Sequence, residues 1–218
     1  MKKLIIFDLD GTLLDTLTDL QNSVNFALGA FSFPLKDKEH IRLAVGNGVA
    51  KLMERSIPNG TANPQYFSCL ENFKNHYAKH YDDETHPYEG IKETVLKLKK
   101  LGYKTAVATN KINSVAHELV NKYFSSCFDY VLGDIDGVPK KPHPTMINNI
   151  IKHFNFNKEE CFYIGDTNVD EQTGLNAQID YVLVSYGFRT EEEIKNTCSC
   201  KTILSSTSAV YDYFKNLI

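Results

Sequence analysis

The sequence predicts an α/β fold: a parallel sheet flanked by helices, interrupted after its first strand by an all-helical insertion. Three observations carry this reading. The unbroken apolar run Leu4-Ile5-Ile6-Phe7 ends in Asp8, Asp10 and Gly11, as a strand buried on both faces does before a turn. Beyond His86-Pro87, short apolar runs alternate with stretches of helical period, which implies βαβ units, parallel neighbours and right-handed crossovers. Between these regions, residues 16–82 show only the helical period.

Taken in order, Leu17, Leu20, Val24, Ala27, Leu28 and Phe31 share one helical face. A second helix is expected over about residues 48–57. Asn63 and Pro64 read as the N-cap and first-turn pair of a third, which carries Tyr66, Leu70, Phe73, Tyr77 and Tyr81. Ile91, Val95 and Leu98 then mark a helix ending at Gly102. Strands are expected over 103–109, around 130–132, over 161–164 and over 181–184, with helices over 114–124 and about 144–154 between them. The domains are thus a Rossmann-like core of residues 1–15 and 83–218 and a helical unit of residues 16–82.

Composition agrees and narrows the field. At 218 residues the chain exceeds the usual domain of about 100–150 residues but is short for two full ones. With 42% hydrophobic and 23% charged residues it can build a core. A net charge of −3 and the lack of a basic run interleaved with aromatics argue against a nucleic-acid partner. The start, Met1-Lys2-Lys3 and four apolar residues, is stopped by Asp8 far short of a signal or membrane segment. Cys69, Cys127, Cys161, Cys198 and Cys200 form an odd set without paired CxxC spacing, against a disulfide framework or zinc knuckle. Reduced thiols suit a cytoplasmic address. Monomer and homodimer both remain open.

Polar stations fall where the strands end: Asp8 and Asp10, Thr109 and Asn110, Lys141 before a long helix, and Asp166 within Gly165-Asp166-Thr167. In an open parallel sheet, ligands bind beyond the carboxyl ends of the strands, so distant stations converge. Three carboxylates gathered there would repel one another without a cation, and Mg²⁺ is the hard ion that accepts both carboxylate and phosphate. Each station alone has an ordinary structural reading: a turn at Asp10-Gly11, a cap at Thr109 or Asp166, a surface charge at Lys141. Their joint order at successive strand ends favours a site.

The segment from Asp8-Leu9-Asp10-Gly11-Thr12 to Thr16 resembles the first motif of the haloacid dehalogenase superfamily. Thr109-Asn110 resembles the second, Lys141-Pro142 the third, and Gly165-Asp166-Thr167 through Asp170 the fourth. Residues 16–82 match the cap that one branch inserts between the first two motifs. The resemblance implies a Mg²⁺-dependent enzyme acting on a small phosphate ester. In it Asp8 is the nucleophile, forming an aspartyl phosphate, and Asp10 is the acid and base. Asp8, the Asp10 carbonyl and Asp166 hold Mg²⁺. Gly11, Thr109 and Asn110 contact the phosphoryl oxygens, and Lys141 offsets negative charge. Asp170 is placed to orient Lys141 or a metal-bound water. The aspartate at position 10 favours phosphate esters over C–Cl or C–P cleavage, since an alkoxide needs a proton to leave.

Within the cap, the segment from Leu43 to Arg55, which includes Val45-Gly46-Asn47-Gly48, looks like one carried by phosphoglycolate phosphatases. It implies substrate contacts from Gly46, Asn47 and Gly48, with exposed N–H groups at a helix start facing a carboxylate; a glycine-broken helix junction is the alternative. Thr173 to Gln178 lacks the Ala-x-x-Ala-Gly run usual after the fourth motif. Other small substrates (a sugar phosphate, nucleotide or pyrophosphate) and a phosphomutase remain as alternatives. A binding module would normally have lost one of Asp8, Asp10, Lys141 or Asp166.

Overall fold

The computed structural model describes residues 3–217; Met1 and Lys2, part of the basic start read above, and Ile218 lie outside them. In chain order, β1 (Leu4–Phe7) and β2 (Leu14–Asp15) precede four helices, α1 (Leu17–Ala30), α2 (Lys38–Ala44), α3 (Val49–Ser56) and α4 (Tyr66–His80). Then follow β3 (His86–Pro87), α5 (Ile91–Lys100), β4 (Lys104–Ile112), α6 (Asn113–Tyr123), β5 (Tyr130–Asp134) and α7 (Thr145–Phe154). The chain continues through β6 (Cys161–Gly165), α8 (Asn168–Ala177), β7 (Asp180–Val184), α9 (Glu191–Thr197), β8 (Ile203–Leu204) and α10 (Thr207–Lys215).

The chain forms two compact units, Met1–Leu14 with Pro87–Ile218, and Asp15–His86. In the first, six strands lie in the order β5-β4-β1-β6-β7-β8, every adjacent pair parallel. Strand β1 is central because all four of its residues are apolar and buried, as a strand covered on both faces requires. Leu4 pairs with Lys104 on one side and Cys161 on the other, so Phe7 is level with Val107 and Ile164 and all three strands end toward one crevice. Strand order reverses at β1, the topology that opens a ligand crevice beyond the strand ends. Helix α7 closes one face: Met146, Ile147 and Ile150 are buried against Ile6, Ala108 and Tyr163. No helix of the described residues is long and apolar enough to cross a membrane, and the five cysteines are free.

The helical unit is built on α1 and α4, which pack together and bury Leu20, Val24 and Leu28 with Leu70, Phe73 and Tyr77. The chain leaves it at residues 86/87 rather than at the expected 82/83. Buried Asp19 explains this: its carboxylate accepts from Glu84 N and Thr85 N at 2.9–3.1 Å and from Thr85 Oγ1 at 2.8 Å, tying residues 84–85 to α1. Helix α4 starts at Tyr66, two residues beyond the expected first turn, because the Asn63 side chain accepts from Gln65 N at 2.9 Å, an Asx-turn rather than a cap. Helix α2 is additional; its Asp37 cap accepts from His40 N at 2.7 Å.

Candidate active site

Strand β1 hands Asp8 to the crevice, its N–H still paired to Ile164 O at 2.8 Å. The Asp8 Oδ1 accepts from Leu9 N at 2.7 Å and lies 2.8 Å from Lys141 Nζ. That ammonium is 1% exposed and has no bond to spare. It also donates to Asp170 Oδ1 at 2.9 Å and to Tyr163 OH at 2.8 Å, using the three protons of an ammonium.

Each partner has a local cause. The Asn110 amide grips the Lys141 backbone from both sides, Nδ2 to O at 3.0 Å and Oδ1 from N at 2.9 Å. One amide proton and the amide oxygen of Asn110 thus hold the Lys141 backbone in place. Asp170 arrives through the capping box of α8, where its Oδ2 accepts from Thr167 N at 3.0 Å and Thr167 Oγ1 at 2.8 Å. Its Oδ1 also accepts from Tyr163 OH at 2.8 Å. Thr167, not Asp166, caps this helix.

That frees Asp166, fully buried at the end of β6. Its Oδ2 accepts from Phe188 N at 2.8 Å, whereas Oδ1 is buried without a hydrogen-bond partner. Gly11, at φ +84°, leaves room for this carboxylate, because a Cβ there would strike its oxygens. A Cβ on Gly187 would strike the Gly11 carbonyl and come within 2.8 Å of Asp166. Thr109, 2% exposed and three residues before the end of β4, accepts from Lys111 N at 3.2 Å.

Asp8, Asp166 and Asp170 each offer an oxygen within 4.8 Å of the others. Burial above all pushes the Asp8 carboxyl up to about 7, against the charge of Lys141. Burial, then the charges of Asp170 and Asp8, raises Asp166 well above the carboxylate range. Burial would raise Asp170 too, but Lys141 and the hydrogen bonds it receives hold it below its ordinary value. Lys141 is raised, since Asp170 and Asp8 outweigh its burial. A divalent cation fits this set: its donors are hard oxygens, Asp166 Oδ1 is buried without a partner, and burial disfavours ionising Asp8 and Asp166 without a cation. Asp170, whose oxygens are committed to Lys141, Tyr163 and Thr167, is the positioning member.

The Asp10 carboxylate stands outside that cluster. Its Oδ1 pairs with Lys111 Nζ at 2.9 Å, an ammonium only 2% exposed. Sequence reading missed both Lys111 and Tyr163. A charged residue directly after Thr109-Asn110 in a buried strand was the signal for the first; Tyr163 gave none beyond its place in an apolar run.

Gly46, Asn47 and Gly48 lie in the helical unit. Both glycines have positive φ, +114° and +82°, and Gly48 is the N-cap of α3. Arg55 closes the turn, donating to Ala44 O at 2.7 Å and Asn47 Oδ1 at 3.0 Å. Arg42 is paired to Glu39 at 2.6 Å. These bonds give the segment the character of a built helix junction.

The chain is similar to known proteins along most of its length. A phosphoglycolate phosphatase of Colwellia psychrerythraea is 30% identical over 200 residues, covering 88% of each chain. One of Psychrobacter arcticus is 31% identical, covering 97% of this chain and 95% of its own. A crystal structure of a predicted phosphoglycolate phosphatase from Haemophilus somnus superposes with a TM-score of 0.88 at 26% identity, covering 100% and 98%. Residues 5–184 match the family described as haloacid dehalogenase-like hydrolase, a span holding every residue of the Asp8–Lys141–Asp166 centre, and the chain belongs to that family.

Proposed function

We propose that this hydrolase is a Mg²⁺-dependent phosphatase that cleaves 2-phosphoglycolate to glycolate and phosphate by way of an aspartyl phosphate on Asp8. The observation that carries the proposal is the buried Asp8 carboxylate at the crevice end of β1, 2.8 Å from Lys141 Nζ and clustered with Asp166. A carboxylate so placed is a nucleophile whose charge Lys141 balances. Asp8 Oδ attacks phosphorus as the bond to the leaving oxygen breaks, and Asp10 supplies the proton that oxygen needs. Asp10 then takes a proton from water, which attacks the phosphorus and frees Asp8. Asp8, Asp166 and the Asp10 carbonyl would hold Mg²⁺, which supplies charge neutralisation on the transferring group. Thr109 and the backbone near Gly11 would orient the phosphoryl oxygens.

The phosphoglycolate assignment rests on the names of relatives near 30% identity and on the Val45-Gly46-Asn47-Gly48 segment. Phosphate release from a panel of esters with Mg²⁺ tests it: 2-phosphoglycolate, sugar phosphates, nucleotides, pyrophosphate and p-nitrophenyl phosphate. The highest kcat/KM is expected for 2-phosphoglycolate. Replacing Gly46 and Gly48 by bulkier residues, strained at positive φ, should lower it more than for p-nitrophenyl phosphate. A sugar phosphate or nucleotide cleaved at least as efficiently would remove the substrate assignment and leave the phosphatase in place.

A further inference from the structure

We infer that the helical unit carries a metal site of its own: His76 and His80, one turn apart on α4, bind a divalent transition-metal ion through their Nε2 atoms, with water completing the shell.

Helical spacing puts the two rings on one face of α4. They lie stacked, centroids 4.3 Å apart and 24° from parallel, and Phe26 of α1 stacks on His76 at 4.0 Å. Each Nδ1 is already engaged. His80 Nδ1 donates to Asp83 Oδ2 at 2.8 Å, because an ionised carboxylate only accepts. His76 Nδ1 lies 3.0 Å from Ser23 Oγ, a fully buried hydroxyl that can accept. A proton on Nδ1 leaves the lone pair on Nε2, and among the described residues no hydrogen bond engages Nε2 of either ring. Ligating histidines are held in this way, the far nitrogen tied to a partner that fixes tautomer and ring direction.

The surroundings suit a cation. The rings stand in the last turns of α4, where the helix dipole favours positive charge, and Asp83 adds a carboxylate behind His80. Burial first, then His80 beside it, holds the His76 imidazole below its ordinary value against the pull of Asp83, toward the neutral form that ligation requires. Both rings line a cleft of about 340 Å³ whose wall includes Asn72, one turn before His76. Asn72 Oδ1 is buried without a partner, an acceptor for a water on the ion. Lys79 of the same wall is exposed, and its flexible stem lets the ammonium turn away. Two nitrogens on one tetrahedral Zn²⁺ stand about 3.3 Å apart, a spacing about 1 Å inside the ring separation. Imidazole nitrogens suit Zn²⁺, Ni²⁺ or Cu²⁺, whereas the oxygen donors of the Asp8–Asp166 centre suit Mg²⁺, so the two sites sort ions of different kinds.

The test is calorimetric titration of Zn²⁺ into the full chain at saturating Mg²⁺, in wild type, His76→Gln and His80→Gln. Wild type should bind one Zn²⁺, and each folded variant should bind it about tenfold more weakly or worse, since losing a ligand costs no less than losing the partner behind one. Paramagnetic Ni²⁺, added in small amounts to the wild type, should broaden the ring ¹⁵N signals of His76 and His80 before those of the other histidines. Absence of Zn²⁺ binding by the wild type overturns the inference. So does wild-type affinity in either folded variant, which would place the ion at the thiols of Cys198 and Cys200 or at the acidic centre, and so does broadening that begins at another histidine. If His76→Gln does not fold, His80→Gln, at a side chain 45% exposed, is judged by the same criterion.

Discussion

Replacing Asp170 by Asn tests whether the fourth motif works by holding Lys141. The two oxygens of Asp170 accept five bonds: Oδ1 from Lys141 Nζ and Tyr163 OH, Oδ2 from Thr167 N, Thr167 Oγ1 and Asp166 N. An asparagine presents one oxygen and one NH₂, so in either orientation it turns donors against donors and removes the charge facing a 1% exposed ammonium. Breaking a buried pair from one side costs about 3–5 kcal/mol. At about 2–4 °C per kcal/mol for a chain of this size, Tm should fall by about 6–20 °C. Because Lys141 is then less well held against Asp8, kcat should also fall at least tenfold. Scanning calorimetry and phosphate release on the purified variant are the assays, with Glu191→Gln at the exposed Glu191–Lys195 pair as control, where a change of about 0–1 kcal/mol is expected. An Asp170→Asn protein that melts with the wild type and turns over normally would refute the positioning argument.

Chelation with EDTA should silence the enzyme, Mg²⁺ should restore it, and Ca²⁺ should restore it poorly because its larger, looser coordination suits the site less; activity surviving exhaustive chelation would count against the metal. Burial favours the neutral Asp8 carboxyl, raised to about 7, so its contribution to stability is present below the ordinary carboxylate range and lost as pH rises through about 7. Mg²⁺ needs the ionised form, so the gain in Tm on adding Mg²⁺ should be larger near pH 8 than near pH 5.5, and an equal gain at both would contradict the assignment. Gly187→Ala drives a methyl into the Gly11 carbonyl and Asp166. It should cost about 1–3 kcal/mol by overpacking and raise the Mg²⁺ concentration needed for half-maximal activity; unchanged Mg²⁺ dependence would show that the contact relaxes freely.

Much of the fold was legible because its signals are long. β1 is an all-apolar run, and α1, α4 and α7 span enough turns for their apolar faces to repeat. What escaped is short or buries little: α2 is seven residues with only Ile41 and Ala44 buried, β8 is two residues, α9 buries only Ile194, and α10 buries only Val210 and Phe214. The exit from the helical unit was misplaced because it depends on Asp19 reaching 65 residues along the chain, a tertiary bond with no local pattern. In the site, Asp8 and Asp166 were legible as acids ending apolar strands. The hold of Asn110 on the Lys141 backbone was not legible, since an amide's target is set by what folds opposite it. Lys111 was passed over because a lysine is ordinarily solvated, and only the burial of β4 makes it exceptional.

The central claim, that Asp8 carries the phosphoryl group, is tested most directly by acid-quenching the enzyme during turnover of 2-phosphoglycolate and mapping the peptide that has gained a phosphoryl mass. The account predicts that mass on Asp8 in wild type, with neither label nor turnover in a folded Asp8→Asn protein. Phosphate release by that variant at a rate near wild type, or a label on another residue, would contradict it.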